Sequence, residues 1–142
     1  MTIQDLVFGE LEYDGGWKQN VYVPMFDATL RLLINNGPEF VPGKEEHQAW
    51  QDFMRDQTAL KTVVERVIFD YYNRHLDNLR MPYSSEEEEV FAPTFKEPKQ
   101  IWSLLKPLCL WLEVGHDDEA CALTLDFWAK WDEEHGLDIV FY

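Results

Sequence analysis

A chain of 142 residues, 46% apolar and 15% aromatic, can close one hydrophobic core and is too apolar to stay disordered. Twenty-seven acids against twelve bases give a net charge of −15, which repels nucleic acid and anionic membranes and favours a basic partner, with plain solubility of an acidic domain as the competing explanation. No apolar run spans a bilayer, and the start MTIQDLVFGE has neither a basic nor a continuous apolar region, so a single cytoplasmic domain over residues 1–142 is expected.

The first third reads as β structure. Leu6 to Tyr13 precedes Asp14-Gly15-Gly16, a hairpin signal because glycine accepts positive φ. Trp17 to Val23 alternates until Pro24, which has no N–H to give a ladder. A third strand, Ala28 to Ile34, closes at Asn35-Asn36-Gly37-Pro38. The period then changes. Trp50, Phe53 and Met54 recur at helical spacing between Gly43 and Gln57. Leu60, Val63, Val64, Val67, Ile68, Tyr71, Tyr72 and His75 then trace an amphipathic helix capped by Asp56 or Thr58. Met81 to Pro98, with four consecutive glutamates, reads as a long, partly mobile loop. A short helix over Gln100 to Leu105 precedes a strand with Leu108, Leu110, Leu112 and Val114 on one face. Ala120 to Ala129 runs back, and a turn at Asp132 to Gly136 leads into the last strand. The expected fold is α+β, about six antiparallel strands with a two-helix hairpin on one face.

Cys109 and Cys121 lack C-x-x-C spacing and lie in apolar stretches, which predicts two reduced thiols and no zinc. There is no G-x-S-x-G, no phosphate-cradling glycine loop and no basic patch. The terminal WDEEHG allows a small metal-dependent or acid–base enzyme built on Asp132, Glu134 and His135, since His titrates near neutrality and carboxylates ligate metals. Adjacent residues on a turn converge poorly on one ion, and a hairpin loop needs Gly136 for its backbone alone. The same alternatives hold for His116 to Glu119. His47 reads as solvated, and His75 as a helix-end residue facing the last carbonyls.

From Glu113 to Asp138 nine carboxylates accompany one base, Lys130, with Trp111, Trp128 and Trp131 interleaved. Aromatic anchors in an acidic field suit docking of a basic protein; the alternative is tryptophans in the core with acids at its rim. The expected contact region is Asp117, Asp118, Glu119, Trp131, Asp132, Glu133, Glu134 and Asp138, with Glu86, Glu87, Glu88 and Glu89 second.

FGELEYDGGW at Phe8 to Trp17, FDYYNRH, IWSLLKP and the ending WDEEHGLDIVF together resemble a group of small bacterial domains of unknown function. A Phe-Gly-x-Leu opening and a Trp-Asp-x-Glu-His-Gly-hydrophobic ending recur in that group. Here the ending is Trp131, Asp132, Glu134, His135 and Gly136. Members of the group are found among immunity proteins of contact-dependent and polymorphic toxin systems. The resemblance implies a cytoplasmic binding protein from a group with no established enzymatic activity; a monomer or weak homodimer without a cofactor is expected. It would bind and neutralise a cognate toxin domain, a basic nuclease being the kind an acidic inhibitor would occlude. The other readings are the enzyme above and an acidic scaffold without a dedicated partner.

Overall fold

Seven strands lie side by side in chain order in a computed structural model that describes residues 1–115 and 121–141. They are β1 (Thr2–Asp5), β2 (Gly9–Tyr13), β3 (Trp17–Val23), β4 (Ala28–Ile34), β5 (Leu105–Glu113), β6 (Ala122–Ala129) and β7 (Asp132–Phe141). Between β4 and β5 come α1 (Lys44–Arg55), α2 (Gln57–Arg80), α3 (Ser85–Phe91) and a 3-10 stretch, Pro98–Leu104. The class is α+β, and three expectations need correction. There are seven strands; the sheet is mixed; and α1 and α2 do not form a looped hairpin.

The additional strand is β1. Leu6 to Tyr13 is not one strand, because the Asp5 carboxylate accepts the N–H groups of both Val7 and Phe8 at 2.9 Å. That Asx turn, with Gly9 at φ +78°, reverses the chain before β2. The mixed character comes from the long helical connection. Strands β4 and β5 pair in parallel, with Arg31 beside Cys109 and Leu33 beside Trp111. A parallel pair needs a crossover of a dozen residues or more, which the helices between them supply. The other neighbours are antiparallel.

Only Asp56 separates α1 from α2, so the helices turn a corner. The Asp56 side chain caps α2 by accepting from Ala59 N at 3.1 Å. Gln57 secures that corner, accepting from Met25 N at 3.1 Å and donating to the Phe53 carbonyl at 2.6 Å. Helix α1 lies against β6, while α2 lies against the 3-10 stretches Pro24–Phe26 and Pro98–Leu104. All of this covers one sheet face. Leu11, Trp17, Leu32, Ile34, Leu110, Leu112, Leu125 and Phe127 meet Trp50, Phe53, Val64, Ile68 and Tyr72 in one core. On α2 the buried stripe is Val64, Ile68, Phe69 and Tyr72; Val63, Val67 and Tyr71, expected on the same face, are exposed. His75 is inside α2, its ring 4.6 Å from that of Tyr71, and does not serve a helix end. Among the described residues no element covers the other sheet face, where Tyr22, Leu108, Trp111 and Val140 are exposed. No described helix is long and apolar enough to cross a membrane.

Candidate partner-binding groove

Ser84-Ser85-Glu86-Glu87 fixes the start of α3. Ser84 Oγ accepts from Glu87 N at 3.3 Å, and the Glu87 carboxylate accepts from Ser84 N at 3.1 Å, a reciprocal capping box. The backbone N–H and the hydroxyl of Ser84, both donating to the Glu87 carboxylate, hold that carboxyl below its ordinary range. Glu86, Glu87 and Glu88 in the first turn also face the positive end of the helix dipole. The expected loop over residues 81–98 is therefore partly helical. Arg80 ties its far end down, donating from Nε to the Ala92 carbonyl at 2.8 Å and from a terminal nitrogen to Thr94 Oγ1 at 3.1 Å.

The turn after β6 and the start of β7 supply the opposite wall. The chain reverses at Lys130 and Trp131, not across Asp132 to Gly136, because Ala129 already faces Asp132. The pairing resumes with Phe127 opposite Leu137, so Glu133 to Gly136 bulge outward opposite Trp128 alone. Gly136 has the expected positive φ, +69°, but it serves the bulge. A Cβ there would lie 2.3 Å from the Phe127 carbonyl oxygen, so the two backbones meet only because the side chain is absent. Asp132 folds back to accept from His135 N at 3.2 Å, and its carboxylate meets His135 Nδ1 at 3.1 Å.

Between these walls lies an open groove of about 580 Å³. Its lining includes Tyr83, Glu87, Phe91, Asp132, Glu133 and Glu134, and no lysine or arginine. Tyr83 joins the walls: its hydroxyl donates to the Trp131 carbonyl at 2.7 Å, and its ring stacks on Phe91 with centroids 5.0 Å apart. Burial, then the charges of Asp132, Glu133 and Glu87, push the Tyr83 phenol above its usual pKa. Three carboxylates from two elements thus act on one hydroxyl. Lys130 is held outside the lining, its ammonium 5.8 Å from the Phe91 ring centroid.

The fold thus unites residues that are remote in sequence. Glu87 of α3 joins Asp132, Glu133 and Glu134, while Glu86, Glu88 and Glu89 share its helix outside the lining. Trp131 borders the groove, but its side chain is buried at 4% exposure and packs 5.2 Å from the Tyr72 ring, so it is a core residue and not an exposed anchor. Asp138 is elsewhere, opposite Asp126 on the uncovered sheet face. Asp117, Asp118 and Glu119 lie outside the described residues. Tyr83 and Phe91 were missed in the sequence; the S-x-x-E capping box was the signal for the helix that presents them.

For acid–base chemistry the structure offers the Asp132–His135 contact, whose side chains are 40% and 74% exposed. Water surrounds that pair, which removes the low-dielectric setting that tunes catalytic groups. Among the described residues no three His, Cys, Asp or Glu side chains are placed to hold one metal ion. His47 is not solvated as expected: its Nε2 lies 2.8 Å from the Asp5 carboxylate, under the Phe8 ring. Burial of Asp5 is outweighed by hydrogen bonds from Phe8, His47 and Val7, so its pKa is lowered. Both cysteines are free thiols, Cys109 half-buried and Cys121 buried, each pushed up to about 11 chiefly by burial.

The groove falls within residues 7–142, which match the profile of a family described as a domain of unknown function, DUF6985. The chain belongs to the DUF6985 family. No curated protein and no solved structure matches it. The DUF6985 match spans both groove walls and strands β2 to β7 of the sheet.

Proposed function

We propose that this DUF6985 domain is an immunity protein that binds and neutralises a basic toxin domain through the groove. The observation that carries the reading is that Glu87, Asp132, Glu133 and Glu134 line one groove with Tyr83 and Phe91, where the lining has no lysine or arginine and its one histidine, His135, is in contact with Asp132. An arginine or lysine of the partner would meet carboxylates on two sides and an aromatic stack at the base, the mixture found at binding hot spots. The net charge of −15 would steer a basic partner in and speed the encounter. The neutralising role comes from the resemblance of the WDEEHG ending to immunity proteins. The mechanism is occlusion, in which the carboxylates take the place of the phosphates a nuclease cleft would hold.

Affinity capture of the tagged protein from its native host, with mass spectrometry of the proteins retained in moderate salt, tests this. A stoichiometric partner with a basic domain, toxic when expressed alone and harmless when co-expressed, is the expected result. Capture of no such partner from cells expressing the neighbouring genes overturns it. The enzyme reading instead expects a divalent ion to raise the melting temperature, and His135→Ala to abolish that rise.

A further inference from the structure

The uncovered sheet face carries a second pattern, independent of the groove. Strand pairing places side chains in rows across it. One row runs Asn20, Arg31, Cys109, Asp126 and Asp138 from β3 to β7. The next runs Lys18, Leu33, Trp111, Thr124 and Val140. Arg31 has no ion-pair partner within 4 Å among the described residues, while Asp126 and Asp138 face each other across β6 and β7 without a base. Like charges directly opposite on a sheet are destabilising, and here they adjoin exposed apolar surface. Trp111 is 37% exposed, Leu108 46% and Val140 43%. The charges are arranged in opposition about β5, positive on β4 and negative on β6.

We propose that this face binds a second copy of the chain, sheet against sheet, about a two-fold axis running along β5. Rotation about that axis sets β4 of each copy over β6 of the other and β3 over β7, while β5 faces β5. Arg31 of each copy then meets Asp126 of the other, with Asp138 alongside, so both unpaired charges are satisfied twice. Trp111 meets Trp111 on the axis. Val140 enters the hollow of about 400 Å³ lined by Lys18, Arg31, Leu33 and Trp111 of the facing copy. The choice of a second copy rests on this self-complementarity: the face carries both halves of the charge pair at equal distance from one strand. Net repulsion between two acidic chains opposes association, but at physiological salt the screening length is about 8 Å, so direct contacts outlast the long-range field.

Sedimentation equilibrium of the full chain, from micromolar to near-millimolar concentration at physiological salt, is the test. The expected result is a concentration-dependent rise from 16.9 kDa toward twice that mass. Arg31→Asp alone and Asp126→Arg alone should each weaken association by about tenfold or more. The double variant, which restores the pair with its signs exchanged, should recover it. Circular dichroism checks that each variant is folded. A single monomeric species across the range overturns the proposal, as does association that Arg31→Asp leaves unchanged or that the double variant fails to recover. The groove shares no residue with this face, so either proposal can fail alone.

Discussion

At Gly136 a positive φ of +69° coincides with a close approach of two backbones, where Glu133 to Gly136 bulge opposite Trp128. Gly136→Ala combines left-handed strain with a Cβ against the Phe127 carbonyl. It should lower stability by about 2–4 kcal/mol, measured by urea unfolding. Asp138 tests the sheet face. Burial first, then its hydrogen bond and repulsion with Asp126, push its pKa up to about 6 from 3.8. The folded state therefore holds a proton that the unfolded state releases. The stabilisation is complete below pH 3.8, falls as pH rises, and is gone above about 6. Asp138→Asn should be the more stable protein at pH 7.5, by about 1 kcal/mol once its exposure is discounted, and the difference should vanish near pH 3.5. Equal pH profiles for the two proteins would remove the repulsion from this account.

At the scale of elements, β3, β4 and the helical run over residues 44–80 were legible from period and capping, although the buried stripe of α2 is narrower than its apolar pattern and leaves Val63, Val67 and Tyr71 exposed. Strand β1 was not, since its four residues gain definition only by pairing with β2. Helix α3 was hidden by its composition: four glutamates in a row resemble a solvated loop, and only Ser84 and Glu87 reveal the cap. Seven residues are too few for an isolated helix, so α3 depends on its cap and on Arg80. Ser84→Ala should cost about 1 kcal/mol. Amide exchange over residues 87–91 should accelerate while α2 keeps its protection; uniform acceleration throughout the chain would mean that α3 is not a separable element. The parallel β4–β5 pairing could not be read locally, because either direction presents the same alternating pattern, and only the path of the crossover decides.

For the whole molecule, the charge pattern is divided by the fold. The acids that cluster in sequence between Glu113 and Asp138 part company: Asp132, Glu133 and Glu134 join Glu87 in the groove, while Asp126 and Asp138 face Arg31's side of the sheet. Sequence proximity was a partial guide to the site: it joined Asp132, Glu133 and Glu134, but strand alternation places Asp126 and Asp138 on another face, and Tyr83, just ahead of α3, reaches Trp131 from 48 positions away. The proposed function requires the groove's carboxylates to dock a basic partner. The most direct test is the association rate of the captured partner with wild type and with Glu133→Lys/Glu134→Lys, compared at low and high salt. Both glutamates are exposed, so the fold should tolerate the change. The expected rate is at least about tenfold lower for the variant at low salt, with the gap closing as salt rises. Equal rates at low salt would contradict it.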